Sequence, residues 1–280
     1  MKMSSLLAEG RKRLLEADIT DASVDAWELL EYVFGIDKNY YYMHMEESVP
    51  ESQVRQYEEL IQKRTEHTPL QHLTGYAHFM GLKFAVNEHV LIPRFDTEIL
   101  VEQTLKFMQG NEHILDLCTG SGCILLSLLH EQKNATGVGA DISEKALQMA
   151  RQNAGELGIL ADFVQSDLFS HIQEKYDIIV SNPPYIGTEV IQTLDAEVKN
   201  HEPLLALDGM ADGLHFYRKI IEEAGGHLND GGHLCFEIGF DQGEAVSALM
   251  RDKGYENVQV IRDLSGLDRV VTGGKTCLTN

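Results

Sequence analysis

Residues 114–123 read Ile-Leu-Asp-Leu-Cys-Thr-Gly-Ser-Gly-Cys: an apolar strand, a glycine-rich turn and the start of a helix. Glycines at such a bend let the backbone approach a ligand and let the helix pack closely on the strand. Gly120 and Gly122 are not followed by the third glycine of the dinucleotide signature G-x-G-x-x-G, because Leu125 occupies that position. Asp116 precedes the turn, and an acid there suits a ligand with an ammonium or sulfonium charge. The turn alone is a weak signal, since it can also be purely structural.

The chain around this turn alternates strands and helices. Strands are predicted at residues 113–117, 137–141, 161–165, 177–181 and 232–238, and helices at residues 122–132 and 143–157. Strands separated by helices favour a mostly parallel sheet with right-handed crossovers. Two late strands, at residues 257–262 and 269–272, are predicted to form a hairpin at the edge of the sheet. The pattern therefore predicts an α/β fold.

Acidic residues end the next two strands. Asp141 comes about twenty residues after the turn, where an acid can accept hydrogen bonds from both hydroxyls of a ribose. The alternative is an N-cap for the helix that begins near Glu144, but Ser143 is available for that role. The third strand ends at Ser166-Asp167-Leu168-Phe169, where an acid and an apolar side chain can flank an adenine ring. Together these strand ends predict a nucleoside site.

The most specific motif is Asn182-Pro183-Pro184-Tyr185, which directly follows an apolar strand. Two prolines can simply end a strand, because neither can donate a ladder hydrogen bond. That interpretation does not explain why an asparagine and a tyrosine flank the prolines. A chemical role accounts for all four residues.

An amide nitrogen is a poor nucleophile because its lone pair is shared with the carbonyl group. To take a methyl group, it must be held with that lone pair directed along the S–CH₃ axis of a sulfonium donor. The Asn182 side-chain oxygen and the Pro183 carbonyl can each accept one N–H, and both bonds strengthen as positive charge grows on the nitrogen. Tyr185 offers a flat face for stacking, and the product nitrogen can lose its proton to water. The motif predicts methylation of a planar amide or amine nitrogen.

Three parts are predicted along the chain. Residues 1–68 carry helical signals only and are predicted to be a small helical bundle, residues 69–93 a connector, and residues 94–280 the catalytic domain. Three adjacent tyrosines, Tyr40, Tyr41 and Tyr42, are expected in the core of the bundle. The bundle is the smaller domain and the α/β part the larger.

The connector is predicted to be a β-hairpin. Strand-like pieces at residues 73–76 and 82–86 flank a turn at Met80-Gly81.

Charge restricts the class of partner. The chain has 23 lysines and arginines against 44 aspartates and glutamates, a formal net charge of −21. Proteins that bind long nucleic acids usually carry a basic stripe, and the longest basic cluster here is Arg11-Lys12-Arg13. A protein or small-molecule substrate is favoured, and no direct nucleic-acid partner is expected.

Targeting and metal-binding signals are also missing from the sequence. No apolar run approaches the roughly 20 residues that cross a bilayer, and the first residues lack the features of a signal peptide. The expectation is a cytoplasmic protein with no membrane partner. The four cysteines have neither zinc-site nor disulfide-framework spacing and are expected to be free thiols: Cys118, Cys123, Cys235 and Cys277. No metal site is expected.

Other segments carry a resemblance to a known family. They are Pro69-Leu70-Gln71-His72-Leu73-Thr74-Gly75, Leu91-Ile92-Pro93-Arg94-Phe95-Asp96-Thr97-Glu98, His201-Glu202-Pro203, Asp212-Gly213-Leu214, Phe236-Glu237-Ile238-Gly239 with Gln242-Gly243, and Asp263-Leu264-Ser265-Gly266. With these segments the chain resembles, over nearly its whole length, the release factor glutamine methyltransferases of the HemK or PrmC type. The Asn-Pro-Pro-Tyr motif alone is shared with enzymes that methylate the amino group of adenine, so it indicates the chemistry rather than the substrate.

The resemblance implies a Rossmann-like class I methyltransferase domain that uses S-adenosyl-L-methionine. It implies as substrate the glutamine of the Gly-Gly-Gln loop of peptide chain release factors, methylated at its side-chain N5 nitrogen, which modulates translation termination. The cofactor contacts implied by position are Cys118, Thr119, Gly120, Ser121, Gly122, Asp141, Leu168 and Asn182. The substrate contacts implied are Asn182, Pro183, Pro184 and Tyr185, with Asn182, Pro183 and Tyr185 as the catalytic residues. The helical bundle would help to dock the release factor, and the enzyme is expected to be a monomer.

The chain departs from the family pattern at three positions. Cys118 stands where glycine is more frequent, Phe95 where proline is common, and Leu168 where an aromatic residue is frequent. These departures concern cofactor affinity, since none removes a catalytic group. The alternative function is an amino-methyltransferase acting on adenine or guanine of nucleic acid, which the acidic charge opposes.

Overall fold

The computed structural model describes residues 1–276; the predicted free thiol of Cys277 lies outside the described residues. The helices are α1 (Met3–Glu16), α2 (Ala22–Phe34), α3 (Lys38–His44), α4 (Glu51–Thr65), α5 (Leu70–Thr74), α6 (Phe95–Leu105), α7 (Cys123–Glu131), α8 (Glu144–Leu157), α9 (Ala196–His201), α10 (Leu204–Leu207), α11 (His215–His227) and α12 (Gly243–Asp252). The strands are β1 (Tyr76–Phe79), β2 (Leu82–Ala85), β3 (His113–Leu117), β4 (Thr136–Asp141), β5 (Asp162–Gln165), β6 (Tyr176–Ser181), β7 (Leu228–Glu237), β8 (Glu256–Arg262) and β9 (Asp268–Gly274). A short 3₁₀ helix spans Val190–Thr193. Within residues 1–276, no helix combines the length and the apolar character that crossing a bilayer requires.

The chain folds as two compact units. The first comprises Met1–Tyr76 together with Asp195–His201, and the second comprises Ala77–Leu194 and the chain from Glu202 onward. The first unit is helical and has its own apolar core, formed mainly by α1, α2 and α4: Leu6, Leu14, Ala26, Leu29, Leu30, Tyr57 and Ile61. The chain therefore leaves the second unit after Leu194, contributes α9 to the first unit, and returns.

The prediction for the three adjacent tyrosines is wrong for two of them. Tyr41 is buried and stacks edge-on against Trp27, but Tyr40 and Tyr42 are 44% and 70% exposed. Consecutive residues of a helix point about 100° apart, so one face of α3 can bury only one of the three.

An ion-pair group holds the α9 segment in the first unit. Arg64 donates to Asp25 (Nε–Oδ2 2.7 Å) and to Glu197 (Nη2–Oε2 2.9 Å), and it also donates to the Thr68 carbonyl. Burial raises the pKa of Asp25, and the Arg64 guanidinium opposes that shift. The Arg64 guanidinium and the Asp25 carboxylate are almost fully buried. Each therefore neutralises the charge of the other, which would destabilise the fold if it were buried without a partner.

The second unit contains a seven-stranded sheet in the order β5-β4-β3-β6-β7-β9-β8. The first five are parallel, and β9 is antiparallel to both β7 and β8, which lies at the edge. Side chains alternate between the two faces of the sheet: Leu115 and Leu117 face the core under α11 and α12, whereas Ile114 packs with α6 and α7. The predicted α/β fold with a mostly parallel, Rossmann-like sheet and the late edge hairpin are confirmed.

The predicted connector hairpin is present, but its first strand was placed too early. Residues 70–74 form a helical turn that follows Pro69 and ends at Gly75, whose φ of 80° is left-handed. Leu73 and Thr74 are therefore helical, and β1 begins only at Tyr76. The turn between the strands has φ of 49° at Met80 and 72° at Gly81, the two left-handed residues that a tight hairpin needs.

Candidate active site

A cleft lies where the parallel strands of the second unit end. It encloses about 1100 Å³, mouth included, and its lining includes Cys118, Thr119, Gly120, Ser121, Asp141, Leu168, Asn182 and Pro184. These side chains come from the loops after β3, β4, β5 and β6, because the carboxyl ends of parallel strands share one edge of a sheet. Of the predicted site residues, Gly122, Pro183 and Tyr185 do not line the cleft.

The glycine-rich turn has the backbone that its glycines allow. Gly120 and Gly122 have φ of 55° and 79°. A Cβ on Gly122 would lie 3.2 Å from the Ala150 side chain, so this glycine permits close packing of the turn on α8. Cys118 has a φ of 59°, also left-handed, at the position where the family more often has glycine. The departure at Cys118 therefore leaves the backbone in the conformation that a glycine would take.

Ser143 takes one of the two roles expected at this point, the N-cap, and Asp141 lies in the cleft. The Ser143 hydroxyl caps α8 by accepting a hydrogen bond from the Ala146 N–H, at 3.2 Å. The Asp141 carboxylate lies in the cleft and accepts from the backbone N–H groups of Gly120 and Ser143, both at 2.9 Å. Burial raises the pKa of Asp141, and these N–H groups oppose the shift. Each carboxylate oxygen has a second lone pair, so the group can also accept the two hydroxyls of a ribose.

Asp116 does not face the cleft, contrary to the role suggested for it. Its carboxyl is 0% exposed, Oδ2 accepts a hydrogen bond from the Thr119 hydroxyl at 2.6 Å, and Oδ1 has no partner within residues 1–276. Burial raises the pKa of Asp116 to about 7, although the Thr119 hydroxyl opposes the shift. Asp116 therefore supports the turn from beneath rather than meeting a cationic ligand.

This buried carboxyl predicts a pH dependence of stability. Because the folded protein binds the Asp116 proton more tightly than the unfolded chain does, the free energy of unfolding falls as pH rises from about 4 to about 7. The ionisation of Asp116 lowers the free energy of unfolding by up to about 4 kcal/mol over this range. Asp116→Asn cannot ionise, so its unfolding free energy should fall less than that of the wild type between pH 5 and pH 8. Urea unfolding of both proteins at the two pH values measures the difference, and parallel pH dependences would contradict it.

The loop after β6 carries the two oxygen acceptors named in the sequence argument. The Asn182 side chain donates from Nδ2 to the Thr97 hydroxyl, at 3.4 Å. Within the described residues, neither the Asn182 Oδ1 nor the Pro183 carbonyl accepts a hydrogen bond. Neither acceptor named in the sequence argument is thus occupied by another group of these residues, and Asn182 itself lines the cleft.

Tyr185 is held from several sides. Its hydroxyl donates to Glu237 Oε1 at 3.3 Å, and its carbonyl accepts from Gln242 Nε2 at 3.0 Å. A Cβ on Gly209 would lie 2.7 Å from the Tyr185 Cα, and a Cβ on Gly213 would overlap the Tyr185 carbonyl oxygen. The ring packs partly on the apolar core. Neither Glu237 nor Gln242 received a role from the sequence, although both lie in segments that carried the family resemblance.

Arg94 supplies a cationic group to the cleft that the sequence analysis did not single out. It lines the cleft and forms an ion pair with Glu202, whose side chain is buried. Pro203, Leu205 and Ala206, directly after this glutamate, also line the cleft. The ion pair therefore fixes one wall of the site. Its signal in the sequence was only the Pro93-Arg94 pair.

Known protein families and relatives match this chain over most of its length. Two family models match it: the PrmC N-terminal domain over residues 5–75 and the Methyltransferase small domain over residues 94–201. The release factor glutamine methyltransferase of Agrobacterium fabrum is 40% identical over 278 residues, which covers 96% of this chain and 96% of that protein. The release factor glutamine methyltransferase of Clostridium botulinum is 38% identical over 282 residues, covering 98% and 100%.

The solved structures that are similar support the fold. A methyltransferase from Pyrococcus furiosus superposes with a TM-score of 0.53 over 70% of this chain and 90% of its own, at 19% identity. At that identity the likeness concerns the α/β architecture alone.

Proposed function

The chain belongs to the release factor glutamine methyltransferase family, and we propose that its substrate is the glutamine of the Gly-Gly-Gln loop of peptide chain release factors. The reaction transfers a methyl group from S-adenosyl-L-methionine to the N5 amide nitrogen of that glutamine, and so modulates translation termination. The observation that carries the proposal is the pair of acceptors that no group of residues 1–276 occupies, Asn182 Oδ1 and the next carbonyl along the chain, that of Pro183, with Asn182 lining the cleft.

The chemistry of the cleft fits the cofactor. The Asp141 carboxylate has lone pairs for the ribose hydroxyls, and Leu168 offers an apolar surface for the adenine. The backbone of residues 118–122, bent by two left-handed glycines, would hold the amino acid end. When bound, the cofactor supplies an electrophilic methyl group on a sulfonium sulfur.

The residues of the loop prepare the substrate nitrogen. Asn182 Oδ1 and the Pro183 carbonyl each accept one N–H of the glutamine amide, which directs the nitrogen lone pair away from them. Positive charge grows on the nitrogen in the transition state, so both hydrogen bonds strengthen there and lower the barrier. The nitrogen would take the methyl group with displacement of the neutral thioether, and water would accept the surplus proton. Tyr185, which Glu237 and Gln242 hold in place, would offer its ring as the stacking face for the planar amide.

The helical part has a separate task in this proposal. Residues 1–68 would add docking area for the folded release factor, while residues 69–93 connect them to the catalytic part, residues 94–280. The enzyme would act in the cytoplasm, as a monomer. The formal charge of −21 opposes a nucleic-acid substrate and suits a partner that itself binds RNA.

The test separates substrate classes directly. The full-length protein is incubated with a methyl donor labelled in its methyl group and, separately, with a release factor, the same release factor with its Gly-Gly-Gln glutamine changed to alanine, and RNA or DNA. Label is expected only in the unaltered release factor, and peptide mapping should place it on that glutamine. Label in the nucleic acid alone would instead establish the alternative amino-methyltransferase.

A further inference from the structure

A buried polar cluster lies behind the catalytic loop. It consists of Glu237 at the end of β7, Thr97 in α6, and the side chains of Asn182 and Tyr185, and we refer to it as the Glu237 cluster. Glu237 is 3% exposed and Thr97 is 2% exposed. The Tyr185 hydroxyl donates to Glu237 Oε1, and the Asn182 amide donates to the Thr97 hydroxyl. The cluster thus touches both ends of the catalytic motif.

The second carboxylate oxygen of Glu237 has an unusual position. Oε2 is buried and accepts no hydrogen bond within the described residues. Helix α6, which carries the buried Thr97, packs against β7, which ends in the buried Glu237, and the Thr97 hydroxyl lowers the pKa of the Glu237 carboxyl. A hydroxyl has one proton to donate. Because the Asn182 amide already donates to the Thr97 oxygen, the Thr97 proton is free to point toward the carboxylate.

The direction of these hydrogen bonds decides which end of the Asn182 amide faces the substrate. A carboxylate only accepts hydrogen bonds, so it favours a Thr97 hydroxyl that donates to it and accepts from the Asn182 Nδ2. Oδ1 then remains for the substrate. In the opposite arrangement, the Thr97 hydroxyl would donate to Oδ1, and the Asn182 NH₂ group would meet the substrate NH₂ group with no acceptor between them.

We propose that Glu237, acting through Thr97, is the positioning residue that orients the Asn182 amide and makes the loop competent to accept a substrate N–H. The inference rests on the proposed function, since only a substrate with an amide or amino N–H needs this orientation. The contact between Glu237 and Tyr185 fixes the other end of the motif at the same time.

The ionisation of Glu237 connects this orientation to pH. Burial raises the pKa of Glu237 to about 7; Thr97, Tyr185 and Arg269 oppose the shift and Asp96 adds to it. A protonated carboxyl can donate to Thr97, and the preference for one direction is then lost. Activity should therefore fall as pH drops below about 7 and the carboxyl gains its proton.

Other titratable groups face Glu237 from the surrounding elements. They are Asp96 in α6, Cys123 in α7, Tyr185 in the catalytic loop, Tyr217 in α11 and Arg269 in β9. Burial raises the pKa of Cys123, Tyr185 and Tyr217, so none of these three loses its proton near neutrality. Arg269 is paired with Asp96 at 3.1 Å and with Asp263 at 2.9 Å.

Three variants of the full-length protein test the proposal. Thr97→Val removes the hydroxyl and keeps the shape, Thr97→Ser restores the hydroxyl, and Glu237→Gln replaces the carboxylate with an amide that can donate. We expect kcat on a release factor to fall by about tenfold or more in Thr97→Val and Glu237→Gln, as loss of an orienting hydrogen bond would cause, and to stay within about threefold in Thr97→Ser. The cofactor Kd should change by less than about threefold in all three.

The pH profile supplies the readout that a merely structural role would not change. The wild type should lose activity below about pH 7, and Glu237→Gln, whose melting temperature is measured in parallel, should not show that loss. A wild type that does not methylate the release factor would overturn the proposed function and this inference with it. An active wild type would overturn the inference alone if Thr97→Val kept its kcat, or if Glu237→Gln kept the wild-type pH profile.

Discussion

Asn182→Ala is expected to lower kcat for methylation of a release factor by about 100-fold to 1000-fold, the range seen when one transition-state hydrogen bond of this kind is removed. The variant loses Oδ1, one of the two acceptors that the amide nitrogen needs, while the Pro183 carbonyl remains. It also loses the bond to Thr97, so the loop no longer has a side chain that the Glu237 cluster can orient. Single-turnover rates at saturating cofactor and substrate measure the effect on the chemical step.

The cofactor Kd shows whether Asn182→Ala impairs the chemical step or only the binding of the cofactor. Asn182 also lines the cofactor cleft, so the cofactor Kd should rise, but only by a few-fold, because Asp141 and the 118–122 turn are unchanged. Asn134→Ala is the matched control, since that asparagine is exposed and precedes β4 at the amino end of the strand. A Kd that rises as much as kcat falls would mean that Asn182 holds the cofactor and not the substrate.

The local parts of the site were predictable from the sequence because their signals are local. A strand followed by two glycines places the turn at residues 118–122, and Ser143 next to Asp141 identifies a cap and an acid within three residues. The hydrogen bonds confirm the predicted cap, since Ser143 caps α8, and Asp141 lies in the cleft.

The support of the catalytic loop was not predictable in the same way. Asn182 and Thr97 are 85 residues apart in the sequence, and Tyr185 and Glu237 are 52 apart. The parallel sheet brings the ends of β6 and β7 to the same edge, which makes Tyr185 and Glu237 neighbours. The packing of α6 against β7 places Thr97 beside the same edge. The role predicted for Asp116, facing a cationic ligand, was wrong for a related reason. An acid near the end of a strand can point into the cleft or beneath the turn, and its position in the sequence does not distinguish the two.

Asp141→Ala is expected to raise the Kd for S-adenosyl-L-methionine by about tenfold to 100-fold, the cost of losing one or two hydrogen bonds to a charged acceptor. The substitution removes the proposed ribose acceptor. It also removes the group that accepts the Gly120 and Ser143 N–H groups, so the turn that lines the cleft is less well ordered. Both effects weaken the binding of the cofactor, which precedes the chemical step. Because saturating cofactor compensates for weaker binding, kcat should then fall by only a few-fold. The variant should therefore show the reverse of the Asn182→Ala pattern.

A second substitution at Asp141 and a control substitution at an exposed aspartate accompany Asp141→Ala. Asp141→Asn keeps one acceptor oxygen but turns an N–H donor toward a backbone N–H, so it should bind cofactor no better than the alanine variant. Asp162→Ala, at an exposed position where β5 begins, should leave the Kd unchanged. Isothermal titration calorimetry measures the cofactor Kd of the wild type and of the three variants. Thermal unfolding without cofactor reports the effect of each substitution on the stability of the folded protein. If Asp141→Ala lowered the melting temperature but left the Kd unchanged, Asp141 would support the turn without binding the ribose, and the nucleoside site would have to be placed elsewhere in the cleft.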